Sequence, residues 1–287
     1  MNRIELNARA KINLSLDVLK KRPDGYHELR MIMQTVELHD RVLLERMEDG
    51  IEIASNSPWI PSGPGNIAYK AADLLIKEFG IKEGIRISID KKIPVAAGLA
   101  GGSSDAAAVL KGINAMFGLG LSEEELARRG KSIGADVPYC IRGGTMLAEG
   151  IGEALSKISP LPGVDIVLVK PRISVPTAWV YKNLVIDKIV QRPDTDKLID
   201  AVKQKNLKVL AKNMVNVLEN VTIKKYTVIS DIKDRLLEYG ALGSMMSGSG
   251  PTVFGIFSDR ASAAKAFETL SGGQWDVFLT KTICEER

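Results

Sequence analysis

The chain has 287 residues, 45% of them hydrophobic and 26% charged, with a formal net charge of +4. This is the balance of a globular protein with a sizeable core, and its basic residues are scattered rather than interleaved with aromatics, which argues against nucleic acid as a partner. Cys140, Cys284, His27 and His39 are the only cysteines and histidines, too few for a Cys/His metal centre or a disulfide framework. The longest apolar runs are too short for a membrane span or a signal core, so the expected location is cytoplasmic, without a membrane partner.

From the N-terminus, Ile4, Leu6, Ala8, Ala10, Ile12, Leu14, Leu16 and Val18 alternate with Glu5, Asn7, Arg9, Lys11, Asn13, Ser15 and Asp17. The period predicts one long antiparallel strand, or two in succession, with one face in the core and the other polar. Pro23-Asp24-Gly25 is a turn signal, and a second alternating region runs from Tyr26 to about Arg46. Asn66 to Phe79 reads as a helix, and Ile85, Ile87 and Ile89 alternate with polar residues as in a half-buried strand.

The stretch from Pro94 to Ser104 (Pro94, Val95, Ala96, Ala97, Gly98, Leu99, Ala100, Gly101, Gly102, Ser103, Ser104) leads into a helix with Ala106, Leu110, Ile113, Asn114 and Phe117 on one face. Ser103 or Ser104 is the expected N-cap. A glycine loop between a strand and a helix start suits an anion, because backbone N–H groups and the helix dipole converge there. The loop lacks the Lys of a Walker A motif and the spacing of a dinucleotide fingerprint. A plain surface turn is the alternative reading, and phosphate binding by a third kind of loop is the better one. The alanines Ala96, Ala97 and Ala100 are expected in ordinary backbone regions.

Ser122 to Glu125 is a capping box opening a short helix that stops near Gly134. Pro138 is expected to hold Val137 extended, leaving Asp136 in a loop. Gly143-Gly144 turns the chain into a strand near Thr145 to Glu149. Pro160-Leu161-Pro162-Gly163 is the clearest break, dividing the chain into domains 1–159 and 160–287. Beyond it lie a strand from Val164 to Val169, mostly helix from Asp194 to Asn220, a helix from Tyr226 to Tyr239 and a strand from Val253 to Phe257. A second glycine cluster, Gly243 to Thr252, precedes that last strand. Strands and helices mix without a long βαβ series, so the class is α+β.

Three segments together, Ala10-Lys11-Ile12-Asn13-Leu14, Pro94 to Ser104 and Met246 to Thr252, resemble the ordered motifs of the GHMP kinases, which phosphorylate small molecules. The resemblance extends from Lys11 to Thr252. Arg22-Pro23-Asp24-Gly25-Tyr26-His27-Glu28-Leu29 and Gly134-Ala135-Asp136-Val137-Pro138-Tyr139 are its most specific stretches. They point to the branch that acts on a cytidine diphosphate-linked methylerythritol in the non-mevalonate route to isoprenoid precursors. Homoserine and mevalonate kinases would share the glycine loops but lack the Tyr26-His27 stretch. A catalytically dead relative would be expected to lose Lys11 or Asp136.

The resemblance implies a two-domain GHMP kinase fold with the active site in a cleft, phosphorylating the substrate's 2-hydroxyl with ATP as co-substrate. It implies Lys11 and Asp136 as catalytic residues and the 94–104 loop as the ATP site. It further implies Asn13, Tyr26, His27, Thr177 and Tyr181 as substrate contacts, with the cytosine between Tyr26 and Tyr181. Gly248, Ser249 and Gly250 are placed near substrate or phosphate. Mg²⁺ is expected with ATP; Ser103, Ser104 and Asp105 lie nearby, but no protein ligand of the metal is named. A monomer or weak homodimer is expected.

Overall fold

The computed structural model describes residues 1–161 and 163–283. Pro162 of the expected break and Cys284 lie outside the described residues. In chain order the elements begin with β1 (Arg3–Lys21), β2 (His27–Met47), β3 (Ile51–Ser55), α1 (Ile67–Phe79), β4 (Gly84–Asp90) and α2 (Gly101–Phe117). Next come α3 (Glu123–Gly130), α4 (Val137–Arg142), β5 (Thr145–Gly150), β6 (Ala154–Lys157) and β7 (Asp165–Lys170). The remainder is α5 (Thr177–Asn183), α6 (Thr195–Lys203), α7 (Leu207–Asn213), α8 (Glu219–Lys225), α9 (Val228–Glu238), β8 (Gly243–Met246), β9 (Val253–Ile256), α10 (Arg260–Ser271) and β10 (Asp276–Lys281). Among the described residues no helix is long and apolar enough to cross a membrane.

Two compact units emerge, each gathered from several stretches of chain. One comprises residues 1–10, 38–95 and 100–142; the other 11–37, 96–99 and 143–287. Strands β1 and β2 pair with each other and contribute residues to both units.

In the first unit, β3 pairs parallel with β4, and β4 antiparallel with the second half of β2. Ile85, Ile87 and Ile89 of β4 are all buried against α1 and α2 residues, among them Leu75, Leu110 and Ile113. Full burial of each such side chain stabilises by roughly 1.5–3 kcal/mol. Helix α1 starts where Asn66 Oδ1 accepts the Ala68 N–H at 2.9 Å, and it stops at Gly80, which takes a left-handed φ of 60°. The Ser122–Glu125 capping box at α3 forms as the sequence predicts.

In the second unit, the first half of β2 pairs with β5, which pairs with β6. A separate antiparallel sheet runs β10-β7-β9-β8, with α9 and α10 packed on it. Leu168 and Val169 of β7 pair with Phe254 and Val253 of β9, all four fully buried. The first part of the second glycine cluster is therefore strand, β8, rather than loop.

The structure corrects several expectations. Strand β1 has no solvated face from Lys11 to Val18: Lys11, Asn13, Ser15 and Asp17 are buried like their apolar neighbours. Their polar ends are held by other parts of the chain, since Ser15 Oγ accepts the Ile32 N–H at 3.1 Å and Asp17 pairs with Arg192 at 2.5 Å. Val137 is helical, not extended. A proline in the first turn of a helix removes an N–H that has no helical partner there, so Pro138 is tolerated at the start of α4. Helix α3 ends at Gly130, short of Gly134, and the intervening residues form turns.

Candidate active site

In the first unit, helix α2 opens without a side-chain cap. Its N-cap is Ala100 with φ 58°, so Ser103 and Ser104 lie inside the first turn instead of capping it. Ser104 Oγ instead donates to the Arg9 carbonyl at 2.5 Å and lies 3.3 Å from Cys140 Sγ. Ala96 likewise has a positive φ of 52°, so two of the three loop alanines occupy the left-handed region that was not expected of them. Two alanines in that region are a local cost, and such cost collects where a loop is shaped for a ligand. The turn carries no side-chain cap, and the N–H groups and positive dipole end of such a helix start suit an anion.

Beside that turn is a buried charge cluster that the sequence reading missed. Lys91 Nζ donates to Asp105 Oδ2 at 2.8 Å and to Asp40 Oδ2. Asp40 Oδ1 also accepts the N–H groups of Lys92 and Ile93, at 2.6 and 2.8 Å. The cluster thus ties the chain entering the 94–104 loop to the helix leaving it. Burial pulls the Lys91 pKa down, but the Asp105 and Asp40 carboxylates outweigh it and hold the ammonium above its usual range. Burial raises Asp105 to about 7; Lys91 opposes this and the Asp40 charge adds to it.

Asp136 immediately precedes α4, and its carbonyl accepts the Cys140 N–H at 3.0 Å as the first bond of that helix. Val137 and Ile141 bury α4 in the core with α2. Within this unit, the residue expected to face the hydroxyl and the helix expected to face phosphate are therefore fixed to one another through packed side chains.

The second unit holds the remaining expected residues. Lys11 Nζ donates to Asn13 Oδ1 at 2.8 Å, and Asn13 Nδ2 lies 3.3 Å from Met31 Sδ. The Lys11 N–H donates to the Leu99 carbonyl at 3.1 Å. The two glycine segments meet here: Ser247 Oγ donates to the Gly98 carbonyl at 3.0 Å and the Thr252 N–H to the Ala97 carbonyl at 3.3 Å. Gly98 has φ 77°, and a Cβ on it would lie 2.2 Å from the Ser247 carbonyl oxygen, so only glycine fits. A Cβ on Gly248 would lie 3.5 Å from Lys11 Nζ and 3.6 Å from Asn13 Oδ1. Lys11, Asn13, Gly98 and Gly248 thus form one cluster.

Thr177 Oγ1 is 2.7 Å from Ser249 Oγ, which joins the start of α5 to the glycine-rich loop. The rings of His27 and Tyr181 lie 5.2 Å apart at 32°. Burial, and then the charge of Lys21, lower the His27 pKa, so its ring is neutral at physiological pH. Tyr26 is 60% exposed and so available for stacking. Among the described residues no group of three or more His, Cys, Asp or Glu side chains could hold a metal ion.

Residues 66–144 match the GHMP kinases N terminal domain and residues 198–274 the GHMP kinases C terminal domain. A 4-diphosphocytidyl-2-C-methyl-D-erythritol kinase from Acetivibrio thermocellus is 60% identical over 283 residues, covering 99% of this chain and all of the relative. The chain belongs to the GHMP kinases, in the 4-diphosphocytidyl-2-C-methyl-D-erythritol kinase family. A second member, from Alkaliphilus oremlandii, is 56% identical over 94% of each chain. A crystal structure of 4-(cytidine 5'-diphospho)-2C-methyl-D-erythritol kinase superposes with a TM-score of 0.84 at 32% identity, covering 97% of this chain and 99% of that one. Homoserine kinase from Cytophaga hutchinsonii shares the fold at 21% identity with a TM-score of 0.75, over 99% and 98% of the two chains. Membership in this family makes the chain a small-molecule kinase of α+β fold.

Proposed function

We propose that this chain transfers the γ-phosphoryl group of ATP to the 2-hydroxyl of 4-diphosphocytidyl-2-C-methyl-D-erythritol. The observation that supports the chemistry best is the buried Lys11–Asn13 pair beside the Gly248 backbone. A buried cation next to glycine backbone suits a transferring phosphoryl group, which needs charge neutralised and little covalent help.

In this reading residues 94–104 and the first turn of α2 hold the ATP phosphates. Asp136 accepts or orients the hydroxyl proton, and Lys11 steadies the charge that develops on the oxygens. Neutral His27 presents one donor and one acceptor to the cytosine edge, while Tyr26 and Tyr181 supply ring faces. Asn13 and Thr177 contact the polyol or diphosphate. Gly248, Ser249 and Gly250 approach a phosphate. Mg²⁺ would accompany ATP; Ser104 and Asp105 already serve protein partners, so no protein ligand is assigned to it. Bound with ATP, the ion would neutralise phosphate charge. We further propose residues 1–159 and 160–287 as the two functional domains, a cytoplasmic location, and a monomer or weak homodimer.

The test is ADP release from ATP with a panel of acceptors: the cytidylyl-methylerythritol, homoserine, mevalonate and galactose. Turnover with the cytidylyl compound alone is expected. Preferential turnover of any other acceptor would refute the substrate assignment.

A further inference from the structure

The glycine-rich loop is held from behind by one amide side chain. Asn216 is 2% exposed, and its Nδ2 donates to the carbonyls of both Met246 and Gly248, each at 2.8 Å. Its Oδ1 accepts the Leu218 N–H at 3.0 Å, so every hydrogen-bonding atom of the side chain is engaged. One turn along, at the start of α8, Glu219 Oε1 accepts the Met246 N–H at 2.7 Å, and its Oε2 pairs with Lys233 at 2.5 Å. Asn216 and Glu219 therefore fix both ends of Met246, the last residue of β8 before the loop. The same segment is bonded to β1: Leu16 N–H donates to the Val215 carbonyl, and Val217 N–H to the Leu16 carbonyl, both at 3.0 Å. Leu16 is on the strand that carries Lys11 and Asn13.

The consequence follows from peptide planarity. In a trans peptide the C=O of one residue and the N–H of the next point in opposite directions. With the Gly248 carbonyl held by Asn216, the Ser249 N–H is turned away from Asn216. The Ser247 carbonyl accepts the Gly250 N–H at 3.0 Å, which fixes the Gly248 N–H in the same way. Neither the Gly248 nor the Ser249 N–H has an acceptor among the described residues, although both residues are buried. Buried N–H groups are rarely left unpaired in folded proteins. Two in succession, with Gly248 close to Lys11 Nζ, are a donor set suited to an anion.

We propose that Asn216, supported by Glu219, is a positioning residue for phosphoryl transfer: it aims the Gly248 and Ser249 N–H groups at a phosphate of the reacting ligands. This rests on the kinase reading above. The experiment records backbone amide resonances of the whole chain while AMP-PNP and, separately, cytidine 5'-diphosphate are added. Steady-state kcat and KM are measured in parallel.

In the unsubstituted protein the Gly248 and Ser249 amides should shift with at least one probe. Asn216→Asp keeps the shape and the acceptor but loses both donors, so those shifts should vanish. Its kcat should fall at least about tenfold, the loss expected for donors aimed at developing charge. KM for both substrates should change much less, which a general loosening of the fold would not produce. Should Asn216→Asp fail to fold, Asn216→Ser, which keeps one donor, should show a smaller change in the same direction. Unchanged amide shifts and unchanged kcat in a folded variant would overturn the proposal. Silent Gly248 and Ser249 amides alongside responsive Gly101–Ser103 amides in the unsubstituted protein would overturn it too, while leaving the ATP site in place. Silence in both loops would remove the kinase reading itself.

Discussion

Gly102 separates what the fold requires from what a ligand requires. It is the second residue of α2 and its φ is not among the positive ones, so any residue could adopt its backbone. A Cβ there would meet only the Ile67 side chain, at 3.4 and 3.8 Å, which is ordinary contact. Nothing in the protein calls for glycine at this position. Gly102→Ala should therefore stabilise the helix by about 0.5–1 kcal/mol, less so this close to its end. For a chain of this size that raises Tm by about 1–4 °C. If ATP phosphates seat on the first turn of α2, the added methyl group blocks the approach of an oxygen to the backbone. Losing one hydrogen bond to a charged group costs about 1.5–3 kcal/mol, or roughly 10- to 150-fold in Kd. The two effects have opposite signs, so general damage cannot mimic the result. Thermal melting of the free protein gives the first and calorimetric titration with ATP the second. A variant that melts higher and binds ATP as before would remove the phosphates from this turn. Gly101→Val is less informative, because a Cβ there lies 3.0 Å from Ile93 and 3.2 Å from Lys91 Nζ.

Three further outcomes are expected. Tyr181→Ala removes a ring 5.2 Å from His27 and should raise KM for the cytidylyl substrate by about 10-fold or more while leaving KM for ATP nearly unchanged; equal effects would place Tyr181 outside the pyrimidine site. Asp105, raised to about 7, contributes stability that is fully present below the ordinary carboxylate range and is lost as pH rises through that value. Asp105→Asn should therefore flatten the fall in Tm between about pH 5 and about pH 8, and parallel curves for the two proteins would refute the argument. Lys11→Met and Asp136→Asn should each lower the single-turnover rate by at least roughly 10²-fold, and the double variant should lose far less than their product; near-normal rates in either single variant would remove that residue from the chemistry.

The parts legible in the sequence were those governed by local rules. Strand alternation in β4, the capping box at Ser122 and the N-terminal limit of α1 at Asn66 each depend on residues within one turn or one pleat. The errors arose where a distant segment decides. The polar residues of β1 follow a half-buried pattern perfectly, yet Lys11 and Asn13 are buried, with the Leu99 carbonyl accepting the Lys11 N–H and Gly248 beside both side chains, from segments about 90 and about 240 residues away. Ser104 looks like an N-cap until Arg9 offers a carbonyl to its hydroxyl. A proline normally pushes the residue before it out of the helical region, but at α4 the buried packing of Val137 and Ile141 outweighs that bias.

The same distinction explains which parts of the candidate site could be read from the chain. Lys11, Asp136 and the two glycine segments stand out because their neighbours in sequence form recognisable motifs. Asp40, Lys91, Asn216 and Glu219 have no such neighbours, and each bonds to a partner at least 14 residues away. Their role is nonetheless of one kind. In the proposed reading both glycine segments offer backbone rather than side chains, and backbone direction is set by whatever holds the peptide units from behind. Asp40 does this at the Lys92 and Ile93 N–H groups, and Asn216 at the Met246 and Gly248 carbonyls. In the proposed site, the aim of the backbone donors thus depends on buried polar side chains behind the two segments. Substituting those side chains should disturb turnover even where every motif residue is retained.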